Sequence, residues 1–322
     1  AGNPLLSVPN AGGKLERAMR ELELLVCIDI FRNETGNLAH YLLPGTHALQ
    51  RHDLPFVFQS LMGVQPKPYA QATRPVVAPK GEQRDETRIL LDLVRAAGAK
   101  PFGSRAVALV LDAWMRASAL PFIGEKIGFS PANMLDLASR AFGFGSFAKL
   151  VREPHGKLLT PHVGGDFLGA RVVTDDGKVD LAPQDLVDAT KALEIAFARE
   201  RRDTGTLRLI SKREATSHNS WLHNHDALGR DRKTTNFVYV NPEDARAAGV
   251  SDGELAEVTS EVGTITLPVK CTDDMMRGAV ALPHGWGHAS ATGLTIASRT
   301  TGANVNLLAS DGPEKLEAFS GM

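Results

Sequence analysis

At 322 residues, 43% of them hydrophobic and 23% charged, the chain has the composition of a globular protein with room for one large domain or two ordinary ones. A formal net charge of -1 gives no broad electrostatic handle for nucleic acid, and no apolar run approaches the roughly 20 residues that a membrane-spanning helix requires. The 2 cysteines, Cys27 and Cys271, stand far apart; this excludes a disulfide framework, a CxxC pair and a cysteine-held zinc or iron–sulfur site within these residues, and fits a reducing compartment such as the cytoplasm.

The chain opens on "AGNPLLSVPN" and closes on "EAFSGM". Neither end reads as a finished domain edge and no leader pattern precedes the first element, so a fragment is expected. "KLERAMREL" is patterned as a helix and leads into "LELLVCIDI", residues 22–30, an apolar run with an acid near its end. That pairing predicts a parallel α/β unit whose strand is buried on both faces. Chemistry in such sheets gathers at the carboxyl ends of the strands, where Asp29 stands. "HYLLPG", residues 40–45, reads as a strand ending in a Pro-Gly turn, and residues 60–80, punctuated by Pro66, Pro68, Pro75 and Pro79, as an extended connection. From "DETRILLDLVRAAG" through "LVRE" apolar residues recur at three- and four-residue spacing, which predicts helices. "FGFGSFAKL" breaks the run and starts a further helix at its serine. "DDGK" suits a hairpin turn, and "APQDLVDATKALEIAFARERR" one more amphipathic helix.

After residue 204 the texture changes. "TLRLIS", "NFVYVN", "ELAEVTS", "GTITLPVK" and "GAVALP" are short strand-like pieces separated by Gly, Asp and Asn. Between two of them, "NPEDARAAGVSDGE" reads as a short helix started by Asn241 or Pro242 and stopped by Gly249. A domain boundary is expected near residue 203, with residues 204–322 forming an all-β, barrel-like domain.

Half of the 10 histidines lie beyond residue 217, in "SHNSWLHNH" and "ALPHGWGHASATG". His223 and His225 on a strand would face the same way, so one reading is a histidine metal site that also takes in His284 and His288. A second reading is a polar loop whose histidines hold backbone groups. A third is a site for a large polar heterocycle. Asn, Ser and His then match its donors and acceptors, Trp286 covers its face, and amides freed by Gly285 and Gly287 cradle phosphate. Asn304 and Asn306, two apart in "TGANVNLL", fit the third reading. So do Gly2 and Asn3 in a turn, and Asp29 as acceptor for a guanine edge or a ribose hydroxyl. There is no GxSxG elbow, no GxxxxGK[ST] loop and no GxGxxG fingerprint.

In this order the segments "GNPLLSVPN", "IDIFRNETGNLAHYLLPG", "SKREATSHNSWLHN", "VYVNPEDARAAGVSDGELAEVTSEVGTITLPV", "GAVALPHGWGH" and "GANVNLL" resemble the second half of a molybdopterin oxidoreductase of the dimethyl sulfoxide reductase and formate dehydrogenase family. The resemblance covers residues 1–55 and 205–320; residues 60–200 match poorly and read as a subfamily insertion. It implies a Rossmann-like α/β part with a helical middle segment over 1–203, followed by a six-stranded double-psi β-barrel over 204–322. It also implies a molybdenum or tungsten ion held by two molybdopterin guanine dinucleotides. Carried over, Gly2, Asn3 and Pro4 line pyrophosphate and ribose, and Asp29 and Asn33 meet the guanosine, although threonine is common in the family where Asn33 stands. Arg213, Ser217, His218, Asn219, Ser220, His223 and Asn224 form one cofactor loop. His284, Gly285, Trp286, Gly287 and His288 form another, and Asn304 and Asn306 a third. The family's iron–sulfur cysteines and metal-ligating residue belong to the amino-terminal half, so the partner implied is that half of the same polypeptide. The chain alone is expected to be inactive, with formate the first substrate to consider for the parent. Two alternatives stay open: a stand-alone barrel hydrolase with His223, His225, His284 and His288 on a metal, and a non-catalytic assembly subunit that keeps the fold.

Overall fold

The computed structural model describes residues 2–55, 68–118, 120–121, 129–161, 172, 174–203, 205–215, 217–226, 233–312 and 315. Its strands are β1 Val26–Asp29, β2 Tyr41–Pro44, β3 Tyr69–Ala70, β4 Lys157–Leu158, β5 Arg208–Lys212, β6 Val238–Val240, β7 Leu255–Thr259, β8 Thr264–Cys271 and β9 Ala279–Pro283. Contacts group the chain into two compact units, Ala1–Leu43 with Ala189–Met322, and Pro44–Asp188. The sequence places its boundary near residue 203, by a change of texture; the spatial grouping instead joins the first 43 residues to the strand-rich segment.

In the first unit a mixed sheet runs in the order β5-β9-β6-β8-β7. β5 and β9 are parallel, with Lys212 opposite Pro283; β6 is parallel to β8 and antiparallel to β9; β7 and β8 form an antiparallel pair. Alternation along β8 explains its placement. Ile265, Leu267 and Val269 point into the core, while Thr264, Thr266 and Lys270 point outward. β9, flanked on both sides by other strands, is buried at every position. Leu267 and Leu282 are fully buried and pack with Val238, Val240, Val280, Val305 and Leu308.

Helix Pro242–Ala247 forms where its punctuation predicts. Asn241 caps it by accepting from the Glu243 amide at 2.9 Å, Pro242 occupies the first turn, and Gly249 follows at φ 71. The Asn241 amide also donates to the Met275 carbonyl at 2.8 Å. Asn241→Ala is expected to cost about 1–2 kcal/mol, the range for a lost cap plus one hydrogen bond, read as a shift in urea midpoint at constant slope.

The run at residues 22–30 departs from expectation. β1 spans only Val26–Asp29 and pairs with β2 in a two-stranded sheet, and of its four residues Cys27 alone is buried. Leu22 and Leu24, 46% and 60% exposed, precede the strand. Apolar spacing reports which residues prefer burial, but a strand with one neighbour among the described residues cannot bury both faces. Asp29 does close β1, as predicted.

The second unit is largely helical. Helix Glu86–Ala96 is capped by Asp85, Arg105–Ala117 by Ser104 and Pro131–Ala141 by Ser130, each side chain accepting from an amide of the first turn. A short helix, Phe147–Leu150, starts after Ser146 as expected. Leu54, Ala70, Ala72, Phe144, Phe147 and Leu150 make its core beside the antiparallel pair β3–β4. Residues 60–67 of the proline-rich connection lie outside the described residues. At "DDGK", Gly177 takes φ 65 and its amide donates to Thr174 at 3.0 Å, so the turn forms; no strand flanks it among the described residues. The helix expected near residues 182–202 is Gln184–Arg202.

Candidate functional site

Because β5 and β9 are parallel neighbours, the segments that follow them leave the sheet at the same end. These are the two histidine-rich loops, Ser217–Asn224 and His284–His288. His284 joins them: its amide donates to the Lys212 carbonyl at 3.3 Å, and its ring lies 3.2 Å from Ser211 Oγ and 2.9 Å from Asn219 Oδ1. The backbones also touch. A Cβ on Gly285, which sits at φ 86, would lie 2.3 Å from the Asn219 carbonyl oxygen. His218 and Asn219 hold left-handed backbone at φ 44 and φ 61, a conformation uncommon outside glycine. The amides of His218, Asn219 and Ser220 donate to no described residue.

Beneath this surface runs a buried polar line. His223 Nδ1 lies 3.0 Å from His288 Nε2, and His288 Nδ1 lies 3.0 Å from Glu34 Oε1. Glu34 Oε2 accepts from Asn3 Nδ2 at 2.6 Å, and Asn3 Oδ1 in turn accepts from the Thr35 amide and hydroxyl. Trp286, 2% exposed, sits with its ring 4.3 Å from that of His223, and its buried Nε1 has no hydrogen-bond partner among the described residues. Gly302 allows this packing, since a Cβ there would come 2.5 Å from the indole. Asn236, fully buried, donates to the carbonyls of Pro283 and Ala303 and accepts from the Ala303 amide.

Several residues predicted to face a ligand make bonds within the chain. Asn304 and Asn306 donate to the carbonyls of Leu5 and Leu6 at 2.9 and 2.7 Å. Asn224 Oδ1 accepts from the amides of Ile296 and Ala297, and Ser217 donates to the Glu214 carbonyl. Asn33 caps helix Glu34–Leu38 and donates to Asp29 Oδ2, while Asp29 Oδ1 accepts from the Phe31 amide. Pro4 opens a short helix, and Gly2 is exposed at φ 85. Arg213 and His218 are exposed, Gly287 lies against Asn304, and His225 is exposed. The four-histidine metal reading is not supported, since among the described residues no group of three His, Cys, Asp or Glu side chains could hold a metal ion. His223 and His288 instead share a hydrogen bond. Burial, followed by the Asp29 charge, pushes the Cys27 thiol up, in keeping with an inert cysteine. Glu34, Asn236 and Gly302 were given no role from sequence; Glu34 entered only as part of the quoted stretch "IDIFRNETGNLAHYLLPG".

Residues 207–318 match the family described as molydopterin dinucleotide binding domain. Beyond those residues the chain is similar to several enzymes over most of its length. It is 25% identical over 298 residues to acetylene hydratase of Syntrophotalea acetylenica, covering 88% of this chain and 36% of that protein. To the alpha subunit of a formate dehydrogenase from Methanocaldococcus jannaschii it is 23% identical over 308 residues, covering 91% and 39%. The solved structure of acetylene hydratase from Pelobacter acetylenicus shares the fold at TM-score 0.67 and 21% identity, covering 100% of this chain and 41% of that one. The chain thus spans well under half the length of the relatives it matches. Homology favours a molybdopterin-enzyme part over both alternatives left open by sequence.

Proposed function

We propose that this chain supplies the dinucleotide-holding part of a formate-dehydrogenase-like molybdopterin oxidoreductase, and that it is inactive without an amino-terminal half carrying the metal ligand and an iron–sulfur cluster. The observation that supports this best is the meeting of two donor-rich loops at one end of the β5–β9 pair. Amides at His218–Ser220 that donate to no described residue, a left-handed backbone and an indole N–H without a partner among the described residues suit a phosphate-bearing heterocycle. The mixed sheet would be the described part of a six-stranded double-psi barrel, with the family's domain boundary near residue 203.

Within this reading the residues divide by role. Gly2, Arg213, His218, Asn219, Ser220, His284 and Trp286 would meet the cofactor directly. Asp29, with lone pairs beyond the two already used, would accept from guanosine. Asn3, Pro4, Asn33, Ser217, His223, Asn224, Gly285, Gly287, His288, Asn304 and Asn306 would shape the cradle from behind. A molybdenum or tungsten ion on two molybdopterin guanine dinucleotides supplies the redox chemistry when bound. The chain's own residues bind, orient and exclude water around it. No helix among the described residues is long and apolar enough to cross a membrane, and the low cysteine content supports a cytoplasmic setting.

The test is cofactor stoichiometry in the intact parent. Asn219→Ala and Arg213→Ala should each lower bound metal and releasable guanine nucleotide several-fold. Arg213→Ala should shift the melting of this chain by no more than the roughly 0.5 kcal/mol typical of surface substitutions, and Asn219→Ala, at left-handed backbone and without its bond to His284, by about 1–2 kcal/mol. Unchanged stoichiometry in both variants would show that the loops are not the cradle.

A further inference from the structure

We propose that Glu34 is a positioning residue that holds His288 with hydrogens on both ring nitrogens, making a buried carboxylate–imidazolium lock between the start of the chain and the "HGWGH" loop. The inference concerns the chain's own atoms and does not depend on what the loops bind. Both side chains are more than nine-tenths buried.

The hydrogen inventory follows from which atoms can only accept. Asn3 Oδ1 takes two hydrogens from Thr35, which leaves Asn3 Nδ2 facing Glu34, so Glu34 Oε2 is an acceptor. Glu34 Oε1 is then free to accept from His288 Nδ1, 3.0 Å away. On the other side of the ring, His288 Nε2 lies 2.9 Å from the Gly285 carbonyl oxygen, which has no hydrogen to give. A bare lone pair on Nε2 would face the lone pairs of that oxygen. A hydrogen there satisfies the carbonyl and also points at His223 Nδ1, 3.0 Å away. His288 therefore donates from both nitrogens, the positive charge is met by Glu34, and His223 accepts as a neutral ring. The competing arrangement, in which His223 donates to a bare His288 Nε2, leaves the Gly285 oxygen in a repulsive contact. Gly285 thus keeps the proton on His288 and away from the ring that packs on Trp286. Charge-assisted hydrogen bonds at both ends fix the loop more firmly than neutral ones.

Nitrogen NMR of the full chain labelled at histidine decides the matter, with His288→Gln and His223→Gln used only to assign signals. At neutral pH, wild-type His288 should show hydrogens on both ring nitrogens and His223 none on Nδ1. Glu34→Gln, similar in size, should remove the Nδ1 hydrogen of His288 and change Trp286 emission, with Trp114 and Trp221 replaced by Phe. Glu34→Asp should restore the doubly protonated signature. A wild-type His288 bearing hydrogen on one ring nitrogen alone, whether Nδ1 or Nε2, overturns the proposal, and this reading is available even if Glu34→Gln fails to fold. Two ring hydrogens persisting in Glu34→Gln overturn it as well, because the carboxylate would then not be what holds the proton.

Discussion

Replacing Gly285 by alanine should destabilise the first unit by about 2–5 kcal/mol, the sum of two separate penalties. One is conformational: at φ 86 an L-residue carries strain of about 1–2 kcal/mol. The other is steric: the new methyl carbon would stand 2.3 Å from the Asn219 carbonyl oxygen and 2.7 Å from its carbon. Those are backbone atoms, so no side-chain rotation relieves the clash, and overpacking of this kind costs a further 1–3 kcal/mol or so. Gly249 separates the terms. It also has positive φ, at 71, but nothing lies within 4 Å of a Cβ placed there. Gly249→Ala should therefore cost only about 1 kcal/mol, the conformational part alone. Urea unfolding of both variants against wild type reads the difference. Equal effects would mean that the loops yield freely and do not hold each other in place.

Asn236→Ala is the second large effect, expected at about 3–5 kcal/mol. Its amide is fully buried and serves two carbonyls and one N–H: Pro283 O at 2.9 Å, Ala303 O at 3.0 Å and Ala303 N at 3.0 Å. Alanine leaves all three unpaired away from water, and each such group costs roughly 1–3 kcal/mol unless the backbone relaxes. Asn236→Asp is the sharper variant. It retains an acceptor for Ala303 N but turns the donor end into an oxygen facing two carbonyl oxygens, so it should be at least as damaging as alanine. Since Pro283 ends β9 immediately before the His284–His288 loop, both variants should also raise proteolytic cleavage in that loop. An aspartate variant as stable as wild type would refute the bonding described for Asn236.

Among the strands after residue 204, β8 was legible because it alternates. In β8 every second residue is buried, and that period is written in the sequence. Helix Pro242–Ala247 was legible for a similar reason, since a cap, a first-turn proline and a terminal glycine are local signals. The run at residues 22–30 was misleading. Its apolar content suggests burial, but whether a strand has neighbours on both sides is decided by other segments. The site was legible in composition and not in role. Asn304 and Asn306 carry the same amide whether they meet a ligand or a main-chain carbonyl, and only coordinates show that they hold Leu5 and Leu6. Glu34 escaped because its partner, His288, lies 254 positions along the chain. No local pattern reports a contact at that range.

The bonds from Asn304 and Asn306 to Leu5 and Leu6 join residues 299 and 300 positions apart. Closing a loop of that length forfeits chain entropy before any contact compensates for it, and folding slows accordingly. The Leu5 and Leu6 carbonyls must wait for these partners until the segment around residue 306 has been made, while Asn3 can already pair with Glu34 and Thr35, 31 and 32 positions away. The unit Pro44–Asp188, compact by itself, can condense in the meantime. A chain cut short just before Asn304 would retain most of its strands and the Glu34–His288 contact, while the Leu5 and Leu6 carbonyls would lose the amides that hold them.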